Sequence, residues 1–333
     1  MKLGVFGAGS IGCYLGGRLI AAGWEVTLVG RLGSEVRAHG LTLTDYTGAR
    51  TELAPAQVRY VDDARALADC DVVLVTVKGT ATAEAGAALA PVVKPGAVVV
   101  SFQNGVTNAD RLRVALPGRT LLAGMVPFNV VNKGSGHFHN GTSGPLELER
   151  GSRSAAELQR VLQQAGFSVV LHGDLRAVQW SKLLINLNNA VNALAGVPLR
   201  EQLADRGYRL VMADIVREGL SCLRAAGIRP VRLGRLIPSL APTVLALPDW
   251  LFFRVAAAMV KVDPAARSSM WEDLDRRRLT EIELLNGEII RLGEKHGVAT
   301  PLNRKLYDLI RSAERDRRGS PQLSAQALRA ALA

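Results

Sequence analysis

The chain has 333 residues, 48% of them hydrophobic and only 5% aromatic. That length exceeds the usual roughly 100–200 residues of one domain, so two domains are expected, with cores built mainly from Ala, Val, Leu and Ile. The formal charge of +11 comes from scattered arginines rather than a basic stripe interleaved with aromatics, which argues against a nucleic-acid partner and suits either an anionic small molecule or solvated surface arginines.

Met1-Lys2 leads directly into an apolar strand, Leu3–Phe6, so no signal peptide is expected. A helix with small residues on one side follows over Ile11–Ala22, then a second strand over Glu25–Val29. Asp71–Val77, DVVLVTV, is a continuous apolar run of the kind found in strands buried on both faces. A helix is expected over Ala81–Val93, ending near Pro95-Gly96, with strands over Ala97–Ser101 and Leu121–Val126. This strand–helix–strand repetition implies a parallel sheet covered on both faces. GSGHFHNGTSG, over 134–144, reads as a hairpin or loop at the far side of that sheet. Strands at Leu146–Glu149 and Phe167–Leu171 flank a helix over Ser154–Ala165.

Beyond His172-Gly173-Asp174 the pattern becomes helical, with helices expected near 175–195, 200–226, 239–260, 268–296 and 301–316 and a frayed tail after Arg318. The most apolar late stretch, Leu236–Val260, carries Pro238, Pro242, Pro248, Asp249 and Arg254, so it reads as buried helix rather than a membrane span. It could equally be an interface, which leaves a homodimer open. Cys13, Cys70 and Cys222 are odd in number and include no CxxC pair. They suit the reducing cytoplasm and argue against a disulfide framework or a zinc site, so no metal is expected.

Gly7-Ala8-Gly9-Ser10-Ile11-Gly12 is GxGxxG between an apolar strand and a helix. The first glycine permits the tight turn, the second lets a pyrophosphate approach the backbone, and the third lets helix and strand pack closely. The helix N-terminus then offers free N–H groups to the phosphates. The second strand ends at Gly30-Arg31. NAD sites usually carry Asp or Glu there for the ribose 2′-OH, whereas a guanidinium can grip a 2′-phosphate with two hydrogen bonds. Arg31 therefore favours NADPH over NADH, and the reading is of an NADPH-dependent oxidoreductase. The fold class is α/β: a Rossmann-type doubly wound sheet over 1–173, then an all-α substrate or catalytic domain over 174–333.

Lys78 and Asn104-Gly105 follow predicted strands, at the carboxyl ends where such sheets bind ligands. Lys78 could meet a phosphate or a substrate carboxylate, and Asn104 a ribose or the substrate; Asn-Gly is also an ordinary turn. In the helical half, Lys182, Asn186 and Asn189 fall at i, i+4 and i+7 on one expected helix, among Leu183, Leu184, Ile185 and Leu187. A lysine and two amides on so apolar a helix imply a cleft or partners, unless they form a solvated stripe. Ser269 and Glu281 are twelve residues apart, a little over three turns if the helix is continuous, and could border one cleft.

Together these motifs resemble the ketopantoate reductase family. The features that carry the resemblance are GAGSIG at 7–12, Arg31, Lys78, Gln103-Asn104-Gly105, Trp180-x-Lys182 with Asn186, SSM at 268–270, TEIELLNG at 280–287 and HGVATP at 296–301. The resemblance implies Lys182 as proton donor to a ketone oxygen, Asn186 and the neighbouring amide Asn189 as substrate ligands, and Ser269 at the substrate carboxylate end. It also implies Asn104 touching both ligands, Lys78 and Glu281 at the cofactor–substrate junction, and Arg31 on the 2′-phosphate. Gly7, Ala8, Gly9, Ser10, Ile11 and Gly12 would hold the cofactor, NADPH. The implied reaction is reduction of ketopantoate to pantoate in pantothenate biosynthesis. The departures all lie on the substrate side. The family's second helix asparagine falls at Ala190 here, one residue after Asn189, and Ala266 stands where better-studied members carry an asparagine. Residues 198–200 offer no asparagine, and GMVPFNV at 124–130 differs from a Thr-rich loop. They leave open a related enzyme acting on a different 2-oxo acid.

Overall fold

A computed structural model of the chain describes every residue except Arg235 and 257–265. The chain forms two compact units, Met1–Arg176 and Ala177–Ala333.

The first unit is built on an eight-stranded sheet. Its strands are β1 (Leu3–Phe6), β2 (Val26–Val29), β5 (Arg59–Val61), β6 (Val72–Val75), β7 (Val98–Ser101), β8 (Thr120–Met125), β11 (Leu146–Glu149) and β12 (Val169–His172). Their order is β12-β11-β8-β7-β6-β1-β2-β5, parallel from β8 to β5, with β11 antiparallel to β8. This is the doubly wound arrangement, whose strand order reverses between β1 and β6. Phe6 pairs with both Val29 and Val75, so the turns after β1, β2 and β6 emerge side by side.

The apolar runs explain the layering. Along β6, Val72 and Leu74 enter one core with the helices Ser10–Ala21 and Arg153–Gln164, while Val73 and Val75 enter a second core with Leu89 and Leu112 on the opposite face. A strand buried on both faces has no polar side to alternate with, so it reads as a continuous apolar run.

The expected hairpin over 134–144 is instead part of a second sheet. β3 (Leu41–Asp45), β4 (Arg50–Leu53), β9 (Val130–Asn132) and β10 (His137–Asn140) associate in the order β4-β3-β10-β9. β10 does turn back on β9, but its other edge runs parallel to β3, some ninety residues earlier in the chain. The helix Ser10–Ala21 lies between the two sheets, and its glycines are divided accordingly. A Cβ at Gly16 would sit 2.3 Å from Leu28 in the large sheet, and one at Gly17 would sit 2.8 Å from Leu43 in the small one. Tyr14, Phe128 and Phe167 close this core with ring centroids 5.9–6.2 Å apart.

The second unit is helical, but with shorter helices than expected. The stretch near 175–195 divides into Leu175–Asn186 and Asn188–Ala195, and that near 200–226 into Leu199–Ala204 and Arg206–Ala225, the latter capped by Asp205 accepting from Gly207 N at 2.7 Å. The expected helix at 239–260 is Ala241–Ala246 and Asp249–Val255, interrupted at Pro248; its residues 257–260 lie outside the described residues. Arg209, fully buried, secures this segment. It donates to the Leu245 and Leu247 carbonyls at 3.0 Å, pairs with Asp249 and lies 4.0 Å over the Phe252 ring.

The stretch near 268–296 is Ser269–Asp275, then a turn through Arg277 at φ +53°, then Asn286–His296. The tail after Arg318 is not frayed. It forms a helix over Ala325–Leu332 with Ala325, Leu328 and Leu332 buried, and Leu323 N donates to the Leu194 carbonyl at 2.8 Å. No helix among the described residues is long and apolar enough to cross a membrane.

Candidate active site

The glycine turn joins β1 to the helix Ser10–Ala21 at the point where the strand order reverses. Gly7 N and Ala8 N donate to the Val29 carbonyl at 2.9 and 2.8 Å. Gly7 has φ +94°, and a Cβ there would lie 2.5 Å from the Val77 backbone nitrogen, so no other residue fits. A Cβ at Gly12 would lie 2.6 Å from Thr76 Oγ1. At Gly9, by contrast, a Cβ would meet only the Gly7 oxygen at 3.9 Å. The second glycine thus faces open space while the first and third are packed tight. Gly9 is also the helix N-cap and makes no side-chain cap, which leaves the first-turn N–H groups of Ser10, Ile11 and Gly12 without an intrahelical partner. An anionic diphosphate fits this turn sterically and electrostatically.

Arg31 is exposed and makes no hydrogen bond or ion pair with the described residues. Its loop is nevertheless fixed. Gly30 N donates to the Val61 carbonyl at 3.1 Å, and Leu32 N donates to the Tyr60 hydroxyl at 3.0 Å. Tyr60 in turn donates to the Ala8 carbonyl at 2.7 Å. Burial pushes its phenol well above the usual range, so it keeps its proton.

Lys78 is exposed beyond β6, at the start of a short 3-10 turn, Gly79–Ala81. Asn104 lies in the neighbouring loop beyond β7. A buried polar network joins the two loops. Gln103 Nε2 donates to Thr82 Oγ1 at 2.8 Å, and Ser101 Oγ donates to Gln103 Oε1 at 2.9 Å. Thr82 Oγ1 lies 2.7 Å from the Gly79 carbonyl and 2.9 Å from Asn108 Oδ1, and Asn108 Nδ2 donates to the Asn104 carbonyl at 2.5 Å. The backbones next to Lys78 and Asn104 are thereby held by the same threonine and asparagine.

In the second unit, Lys182 and Asn186 lie one turn apart on the helix Leu175–Asn186, and Asn189 is the second residue of the next, Asn188–Ala195. Leu183, Leu184 and Leu187 are buried, as is Ala190, while Lys182, Asn186 and Asn189 are each part-exposed. Burial lowers the Lys182 pKa from 10.5 to about 8, with the Glu281 carboxylate acting in the opposite direction. Glu281 sits at a turn anchored from the helix Pro301–Asp316. The buried Glu314 carboxylate accepts from both Thr280 N and Thr280 Oγ1 at 2.7 Å.

Ser269 is exposed at the first position of the helix Ser269–Asp275. Its neighbour Ser268 is the cap: its hydroxyl accepts from Trp271 N at 3.1 Å and donates to the Asn189 carbonyl at 3.2 Å. Ser268 N donates to Asn192 Oδ1 at 2.8 Å, and Asn192 Nδ2 donates to Gln202 Oε1 at 2.8 Å. The helical spacing argument for Ser269 and Glu281 fails, because the turn after Asp275 separates them into different elements. Tyr60, Thr82, Asn108, Asn192, Gln202 and Glu314 carry no motif. Each is identified only by contacts distant in sequence. Among the described residues no group of three or more His, Cys, Asp or Glu is placed to hold a metal ion.

Comparison with known proteins follows this division of the chain. The model of ketopantoate reductase PanE/ApbA matches residues 3–153, and that of its C-terminal part matches residues 174–314. A 2-dehydropantoate 2-reductase from Halobacterium salinarum is 29% identical over 324 residues, covering 95% of this chain and 100% of that protein. The crystal structure of a PanE/ApbA family ketopantoate reductase from Ralstonia eutropha superposes with a TM-score of 0.82 at 32% identity, covering 95% of this chain and 99% of that one. A D-mandelate dehydrogenase, in a ternary structure with NADH and anilino(oxo)acetate, shares the fold with a TM-score of 0.78 at 22% identity, covering 95% of this chain and 99% of that one.

Proposed function

The chain belongs to the ketopantoate reductase family of oxidoreductases, and on that premise we propose that it reduces 2-dehydropantoate (ketopantoate) to pantoate with NADPH, a step of pantothenate biosynthesis. The observation that carries the reading is Lys182, a lysine whose pKa falls to about 8 within one helical turn of Asn186 and under the influence of Glu281. At neutral pH such a group is still an ammonium but gives up its proton readily, which is what a general acid requires.

When bound, the nicotinamide dinucleotide supplies the hydride. Gly7, Ala8, Gly9, Ser10, Ile11 and Gly12 hold its diphosphate at the open helix N-terminus. Arg31 pairs with the 2′-phosphate, which a carboxylate at that position would repel. Lys78 and Asn104 hold the cofactor at the ends of β6 and β7, and Asn104 also binds substrate. Lys182 stabilises the negative charge that develops on the carbonyl oxygen and donates the proton to it. Asn186 and Asn189 bind the hydroxyl and oxo groups of the substrate, Ser269 holds its carboxylate, and Glu281 keeps Lys182 charged. The three free, buried cysteines, Cys13, Cys70 and Cys222, support a cytoplasmic setting.

A second reading keeps this chemistry and changes the 2-oxo acid. It is favoured by Ala190, which is fully buried and presents no amide, and by Ala266, whose carbonyl is used by Leu199 N at 2.8 Å. Following NADPH absorbance with ketopantoate and a panel of 2-oxo acids separates the two. Consumption with ketopantoate at a kcat/KM well above the panel supports the first reading. Preference for another acid supports the second, and tight NADPH binding with no turnover on any substrate refutes both.

A further inference from the structure

One side chain, Tyr60, meets both neighbours of Arg31, by a hydrogen bond to Leu32 and by close packing against Gly30. Tyr60, 5% exposed, enters from the edge strand β5 and places its hydroxyl between the glycine turn and the arginine loop. It donates to the Ala8 carbonyl at 2.7 Å and accepts from Leu32 N at 3.0 Å. On the other side of Arg31, Gly30 is packed so closely that a Cβ there would lie 2.4 Å from Tyr60 Oη and 3.0 Å from Ala8 N and O. Arg31 itself has no protein partner among the described residues to orient it. The direction in which its side chain leaves the backbone is therefore set by Gly30, which bonds to the Val61 carbonyl and packs on Tyr60, and by Leu32, which bonds to Tyr60.

We infer that Tyr60 is a specificity-determining positioning residue: its hydroxyl fixes the distance between the diphosphate turn and Arg31, and so sets the preference for a 2′-phosphorylated nicotinamide dinucleotide over its unphosphorylated form. The inference rests on the proposed cofactor site. The spacing matters because the two ends of one ligand must be met together. The diphosphate lies at Gly7–Gly12 and the 2′-phosphate at Arg31, so a shift between them loses the bidentate geometry a guanidinium needs. A ligand without the 2′-phosphate has no group for Arg31 to grip, and its contacts with the glycine turn, Lys78 and Asn104 do not depend on that spacing.

The test is equilibrium binding of NADPH and NADH to Y60F, R31A and the double variant by nucleotide fluorescence, with thermal melts to verify folding. Y60F is expected to weaken NADPH about five- to ten-fold, the size of one lost positioning hydrogen bond, while NADH changes by less than about two-fold. In the R31A background, Y60F is expected to add no further loss of discrimination, since the residue it positions is gone. G30A is a control for the turn itself: a methyl group there meets Ala8 as well as the Tyr60 hydroxyl, so it should weaken NADPH and NADH together, unlike Y60F. Equal weakening of NADPH and NADH in Y60F would overturn the assignment, because it would mean that Tyr60 supports only the glycine turn. So would unchanged discrimination in Y60F. A native protein that binds NADH as tightly as NADPH, with R31A changing neither, would instead overturn the cofactor reading itself and the role of Tyr60 with it.

Discussion

The rate of ketopantoate reduction should fall across a pH range in which an ordinary lysine does not titrate. Lys182 has its pKa lowered from 10.5 to about 8 by burial, and the proposed reaction uses its protonated form. With a pKa of about 8, roughly 90% of the substrate-free enzyme carries the proton at pH 7 and roughly 10% at pH 9, so kcat/KM should drop about ten-fold between those values. A lysine at 10.5 would lose only about 3% over the same interval. The sign of the Glu281 effect follows from its charge. The carboxylate favours the ammonium, so E281Q should lower the Lys182 pKa further and move the fall in rate to lower pH. K182M should reduce kcat by roughly 10²–10⁴-fold at every pH and abolish the titration. The assay is NADPH absorbance from pH 6 to 10 for the native protein, E281Q and K182M. A rate that stays level to pH 10, an E281Q profile shifted upward, or a K182M variant that retains its turnover would refute Lys182 as the proton donor.

Other outcomes follow from the same geometry. R31A should weaken NADPH about ten- to hundred-fold, the loss of a charge-assisted contact, and leave NADH nearly unchanged; fluorescence titration reads both. T82V leaves the Gln103 amide and the Asn108 carbonyl oxygen without their buried partner. It should lower stability by about 1–3 kcal/mol in denaturant melts and raise the KM for NADPH more than it lowers kcat, since Lys78 and Asn104 lose a shared support. L328A tests the docked tail: a fully buried leucine there should destabilise by about 2–5 kcal/mol, whereas a frayed tail would show no change.

The parts of the fold legible in the sequence are those whose signals are local. Leu3–Phe6, the glycine turn and the run at 71–77 announce themselves because a strand buried on both faces must be continuously apolar and a phosphate turn must be glycine-rich. The second sheet is silent for the opposite reason. LTLTD and RTEL are short and half polar, and β10 finds its parallel partner β3 some ninety residues away. Two of the helix breaks carry a marker, Asp205 as a cap and Pro248 as a start. The turn after Asp275 does not: Arg276-Arg277-Arg278 favours helix, but Glu314 draws Thr280 out of the helical path with two hydrogen bonds. The proposed ligands, from Gly7 to Glu281, are residues whose type and order in the sequence suggest them. The residues that hold them are not legible there, because Tyr60 reaches back 52 positions to Ala8 and Asn192 reaches forward 76 to Ser268.

The proposed reaction is transfer of a hydride from NADPH to the 2-oxo carbon of ketopantoate on this protein. It is tested most directly by incubating the two with the protein, using NADPH deuterated at the transferring position, and weighing the product by mass spectrometry. Such a transfer yields pantoate carrying one deuterium at C2, in equal amount to the NADPH consumed, and formed roughly 10²–10⁴-fold more slowly by K182M. Unlabelled pantoate, or no pantoate from a folded protein that binds NADPH, would contradict it.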